Sequence, residues 1–217
     1  MPRRFALASV CALIGMVGGV VWLRNSAVPE PIFEVNSAPV PVAPLCPWRN
    51  PEGDLEQLFP GASGYTRETR ILSGLRTELG HVLGRPPTPE ENALQVYRVF
   101  RGTDVVGTIT TRRVKGRFGA MELVIASDAR GRIAGWLLQR SREPAAIAEA
   151  IQSVSWRERF AGRDVNSSWD SEELLAGLPE PARMSAGAIV EGVRTAGILL
   201  ATSERDSSQP LAEAHNH

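Results

Sequence analysis

Enzymatic nucleophiles and bases are most often serine, cysteine and histidine, and this chain is poor in the last two. Its histidines are His81, His215 and His217, and its cysteines are Cys11 and Cys46. His81 is the only histidine outside the polar C-terminal tail. No Ser/His/Asp or Cys/His set can be assembled from these residues. His215 and His217 read as part of a frayed terminus, not as a metal site. No cysteine cluster has the spacing for zinc or iron–sulfur binding. Cys11 falls in an uncharged run and Cys46 in a proline-rich one. A disulfide between them is not expected, because its Cα atoms must come within ~7 Å.

A second chemical candidate lies near the C-terminus. Ser185 to Thr202 reads as a helix, with Ile189, Val193, Ala196 and Leu200 at helical spacing. Such a helix would start with free N–H groups and the positive end of its dipole. Arg183, just before it, could pair with a phosphate. The same residues also fit a plainer reading, with Ser185 as an N-cap and Arg183 as an exposed loop charge. Gly187, Gly192 and Gly197 weaken this helix by up to ~1 kcal/mol each. Close approach to a sheet explains them best.

The sheet is expected upstream. Phe118 to Arg142 reads as a β-hairpin. Met121–Ala126 is an apolar run, and Ile133–Leu138 returns with Trp136 in its middle. Ser127 to Gly131 makes the bend. Two more strands are expected at Leu94–Phe100 and Val105–Thr111, joined at Gly102-Thr103-Asp104. Gly64 to Leu83 fits either a helix face or a strand followed by a helix. Leu55, Leu58 and Phe59 suggest a short helix stopped by Pro60-Gly61. Ala145 to Val154 has a helical apolar face that Trp156 and Phe160 continue. Ser171 to Leu178 reads as a short helix capped by Ser171. Pro179 and Pro181 are expected to break the chain after it.

The expected fold class is α+β. A twisted, mainly antiparallel sheet would carry the Ala145–Phe160 and Ser185–Thr202 helices on one face. Trp136 and Phe160 should be buried.

One transmembrane helix is expected to precede the sheet. Pro2-Arg3-Arg4 is a basic head within residues 1–4, and residues 5–23 carry no charge. That length is close to the ~20 residues needed to cross a bilayer. Trp22 would sit at the interface, and Arg3 and Arg4 would remain in the cytoplasm. A cleaved signal peptide is the competing reading, but its apolar region is normally ~7–15 residues. Residues 24–53 are rich in proline and read as an extended spacer. The folded domain is expected over 54–203, with a polar tail over 204–217. Lys+Arg and Asp+Glu are equal at 24 each. That balance argues against a nucleic-acid partner.

Several strings, in order, resemble the FMN-binding domain family, which includes flavin subunits of the Rnf complex and of the sodium-pumping NADH:quinone oxidoreductase. The flavin domain of the nitrous oxide respiration regulator is another member. The resemblance runs from about Leu55 to Ala201. It is carried by Leu58-Phe59-Pro60-Gly61-Ala62, Val99 to Gly107, the hairpin Glu122–Leu138, and Ser141-Arg142-Glu143-Pro144. Trp156 to Gly162 and the closing helix from Ser185 complete it.

The family esterifies flavin phosphate to a threonine of an SGAT motif. No threonine occurs from Glu180 to Ala188. In one register Ala188 takes the acceptor position, and in the other Arg183 does. Neither can form a phosphoester. The resemblance therefore implies FMN held non-covalently, with Arg183, Met184, Ser185, Ala186, Gly187, Ala188 and Glu143 as the binding positions. It implies an electron-transfer component, and the uncharged run at residues 5–23 would place it in the inner membrane, single-pass, with its domain on the periplasmic side. Its partners would be the membrane and membrane or periplasmic redox proteins. A structural or regulatory module of the same fold that has lost the flavin is the alternative.

Overall fold

A computed structural model describes residues 51–208. The anchor and most of the spacer expected from the sequence lie outside the described residues. The described residues form one compact unit.

Five strands form one antiparallel sheet in the order β1-β2-β3-β4-β5. They are β1 Gly64–Ile71, β2 Ala93–Arg101, β3 Asp104–Lys115, β4 Ala120–Asp128 and β5 Ile133–Ser141. Each pairs with the next in sequence, so every connection is local. The expected hairpin is β4–β5, with Ile125 opposite Trp136. Gly131, at φ 76°, closes its turn in a backbone region that favours glycine. Asp128 supports the bend by accepting from the Arg130 and Arg132 N–H groups. Of the two readings of Gly64 to Leu83, strand then helix is the one adopted. β1 is followed by α2, Arg76–Leu83.

Alternation along β4 divides the core. Met121, Leu123 and Ile125 face one side of the sheet, and Val124 and Ala126 the other. All are fully buried, so the central strand is covered on both faces.

The larger side carries α3 (Ala145–Gln152), α4 (Val154–Arg157), α5 (Ser171–Leu175) and α6 (Glu180–Ser208). Trp136, Trp156 and Phe160 meet there edge to face, with centroids 5.2–5.6 Å apart. Such pairs add ~0.5–1.5 kcal/mol beyond burial. Trp136 and Phe160 are buried as expected.

The opposite side is not bare. Helix α1, Glu52–Leu58, lies on it with Phe59 beneath, against Tyr97, Val99 and Leu137. The Ala145–Phe160 and Ser185–Thr202 segments do share one face as expected, and α1 covers the second face, which was not expected. Leu55, Leu58 and Phe59 need apolar partners, and the second sheet face supplies them.

The long helix differs most from its expected bounds. It starts at Glu180, not Ser185, and runs 29 residues. Pro181 does not break it, because proline is tolerated in a first turn where the missing N–H has no helical acceptor. The Ala145–Phe160 helix is interrupted instead, since Ser153 at φ −58° and ψ 136° leaves the helical region. Helix α5 is capped by Asp170, not Ser171. The Asp170 carboxylate accepts from the Glu172 and Glu173 N–H groups.

Among the described residues, Glu180–Asp206 alone has the length and composition of a membrane span. It is the core helix of this domain, with 61% of its most apolar window buried inside.

Candidate functional site

Helix α6 decides where the expected binding residues sit. Its actual start places Ser185 in the second turn. The Ser185 N–H is therefore inside the helical ladder, not free at an end. The true start offers little to an anion. Glu180 puts a carboxylate there, Pro181 has no N–H, and the Ala182 N–H bonds to the Pro179 carbonyl at 2.9 Å. The expected phosphate cradle at Ser185 is corrected on this ground.

The Ser185 side chain is fully buried. Its Oγ accepts from the Arg117 N–H at 2.9 Å. Arg117 belongs to the β3–β4 turn, so the hydroxyl holds a hairpin tip. It is neither an N-cap nor an exposed acceptor. Arg183 is half-exposed and pairs with Glu180 at 3.3 Å, on its own helix. Its Nε also lies 3.4 Å from the Leu178 carbonyl. Met184 projects outward, whereas Ala186 is buried and Gly187 and Ala188 are intermediate. The seven positions thus divide between the two sides of one helix and the corner after β5.

Glu143 nevertheless meets Ser185 at the same turn. Its Oε1 accepts from the Phe118 N–H at 3.1 Å, and its Oε2 is buried with no hydrogen-bond partner. Residues 42 positions apart in sequence (143 and 185) therefore hold successive N–H groups of one tip. Gly116 permits this. A Cβ there would come within 2.2 Å of Glu143 Oε1 and 3.0 Å of Met121 Cε. The Gly116 N–H bonds to the Gly119 carbonyl at 2.8 Å and closes the turn. The arrangement fixes the Lys115–Gly119 tip rigidly and presents its side chains outward. It has no nucleophile beside a base.

A second buried charge cluster escaped the sequence reading. The Glu91 side chain is fully buried and accepts from Arg85 through both oxygens, at 2.8 and 2.9 Å. Arg112 of β3 also reaches Oε1, and the Thr88 N–H reaches Oε2 at 2.8 Å. Burial works to raise the Glu91 pKa, but the hydrogen bonds from Arg85, Thr88 and Arg112 outweigh it and hold it at about 2. The only local sign was Thr88-Pro89-Glu90-Glu91, which forms a capping box. Nothing in the sequence placed Arg112 beside it.

Two surface hollows are lined by other residues. One lies by Arg76, His81 and Arg85, and the other by Leu58, Trp136 and Arg157. Neither includes Arg183, Ser185 or Glu143. Among the described residues no group of three or more His, Cys, Asp or Glu could hold a metal ion.

The chain has no match among known protein-family models or curated proteins.

Proposed function

We propose that the chain is a membrane-anchored, extracytoplasmic module whose α+β domain has a structural or regulatory role and holds no flavin. One observation carries this reading. The Ser185 hydroxyl, the one hydroxyl in the stretch resembling the family motif, is buried and engaged with the Arg117 N–H. The neighbouring backbone donors are inside a helix that begins at Glu180. Arg183 has its own carboxylate partner. A flavin phosphate would have to displace these contacts and desolvate the Glu180 carboxylate beside it. The anchor part of the reading rests on the uncharged run at residues 5–23 and the spacer after it.

The second reading is an electron-transfer component with non-covalent FMN, the cofactor supplying the redox chemistry. The meeting of Glu143 and Ser185 at one turn favours it, since the family resemblance singled out both positions.

Titration of the purified full chain with FMN, followed by flavin fluorescence, separates the two. The flavin-free reading expects no saturable quenching and no visible flavin absorbance in the protein as isolated. Saturable binding that Arg183→Ala weakens roughly tenfold, in line with the ~1.5–3 kcal/mol of a charge-assisted contact, would establish the second.

A further inference from the structure

We infer that the β3–β4 hairpin tip is a docking surface for an anionic lipid bilayer, through Phe118, Met184 and the cations around them. Four observations converge on it.

The first is exposure. Phe118 is 50% exposed and Met184 66% exposed. Among the described residues, Phe118 is the one aromatic side chain that stands out as a large exposed apolar group. The Arg117–Ser185 hydrogen bond brings the hairpin tip against the turn of α6 that carries Met184.

The second is rigidity. The tip is held from within by the buried Glu143 carboxylate, the Ser185 hydroxyl and the Gly116–Gly119 closure. These contacts fix the backbone at Arg117 and Phe118, the residues that carry the exposed ring and the cation beside it.

The third is charge. Of the nearby carboxylates, Glu143 is buried beneath the tip on the Phe118 N–H, and the two others are paired with arginines. Glu122 pairs with Arg113 and Arg140, and Glu180 with Arg183. Lys115, Arg117 and Arg142 are exposed and have no ion-pair partner among the described residues. The Arg117 guanidinium sits 5.5 Å from the centre of the Phe118 ring, and Arg142 flanks Gly119. Three exposed cations against one buried carboxylate leave this end positive. Exposed apolar groups flanked by cations match an interface of acyl chains and anionic headgroups.

The fourth is direction. The Gln139 amide donates to Asp54 at 2.7 Å, and Leu58 lies over Gly135. Helix α1 therefore begins beside the end of β5 that adjoins the tip. The domain's first described residues enter from that same end.

Lys115 makes the inference measurable, because it is the chain's one lysine. The full chain is placed in nanodiscs of phosphatidylcholine, with or without phosphatidylglycerol. Lys115 is acylated by an amine-reactive reagent, and the labelled peptide is quantified by mass spectrometry. A basic residue near an anionic surface is worth about a fivefold change in partition. Labelling should slow at least about fivefold with phosphatidylglycerol, and high salt should restore it. Phe118→Ser keeps every charge and should remove most of the protection. Arg117→Gln keeps the backbone contact to Ser185 and should reduce it by about fivefold. Inorganic phosphate without lipid should have no effect, so protection by phosphate alone would point to a free-anion site and overturn the inference. Equal labelling with and without phosphatidylglycerol would overturn it too. A chain that stays out of nanodiscs defeats the anchor reading alone. It is then mixed with preformed vesicles for the same measurement.

Discussion

At the scale of single residues, buried carboxylates organise this domain. Glu91 is fully enclosed and held by two arginines. Its pKa falls from 4.5 to about 2 in the folded state. A depressed carboxylate pKa stabilises the fold above the unfolded value, and that stability is lost as pH falls through the folded value. Each pKa unit is worth ~1.36 kcal/mol, so Glu91 contributes on the order of 3 kcal/mol at neutral pH. The loss should fall between about pH 4.5 and pH 2. Urea unfolding across that range should show the decline. Glu91→Gln should flatten it and cost ~3–5 kcal/mol at pH 7, because two arginines are left uncompensated. A variant as stable as the parent would mean the cluster is not closed in solution. Glu143 acts differently, by fixing a turn. Gly116→Ala would drive a methyl group into its carboxylate, and should destabilise by ~1–3 kcal/mol as overpacking does.

At the scale of elements, legibility followed how local the signal was. Strands β4 and β5 could be read because an unbroken apolar run, a polar bend ending in glycine and a return run are all contiguous. The bounds of α6 could not, because Pro181 signals a break in sequence but sits where a helix accepts it. Of the three helix glycines, Gly192 alone is required by close packing. A Cβ on Gly192 would lie 2.5 Å from Val114 and 3.2 Å from Leu123, so helix and sheet need that glycine to approach. Gly187 and Gly197 have only ordinary contacts at 3.8–4.0 Å. The site was half legible. Glu143 and Ser185 were singled out, but their meeting at Arg117 and Phe118 depends on tertiary packing. Two substitutions on α6 separate its structural and exposed residues. Ser185→Ala removes the acceptor of a buried N–H and should cost ~1–3 kcal/mol. Arg183→Ala, on an exposed pair, should stay within ~0.5 kcal/mol. Thermal or urea denaturation of the two variants reads both values. The reverse order would mean that the Arg183–Glu180 pair, and not the Ser185 contact, holds this turn of the helix.

At the scale of the whole molecule, two properties must be reconciled. The described domain has a full core, drawn from both faces of its sheet. Its one long apolar helix is committed to that core. Arg70 of β1 donates to the Ser203 hydroxyl near the helix end at 2.9 Å, and Leu72, Leu79, Leu94 and Val96 bury Ile198 to Leu200. Pulling α6 into a bilayer would expose the Trp136–Phe160 side and break the Arg70–Ser203 hydrogen bond. Any stable membrane attachment must then come from another part of the chain. The uncharged run at residues 5–23 has the required length. The hairpin tip alone would give only reversible, salt-sensitive adsorption, since interfacial contacts fall short of a spanning helix. Membranes from cells making the chain should therefore retain it through high-salt and carbonate washes. Replacing two central residues of the run, Ile14→Arg and Val17→Arg, should release it, because each arginine at a span centre costs ~2.5–3.5 kcal/mol of insertion. The released chain should still unfold cooperatively, as the described residues 51–208 hold a core of their own. Retention of the double arginine variant through carbonate would mean that the anchor lies elsewhere. Release of the parent by carbonate would mean that the chain adheres only at the surface.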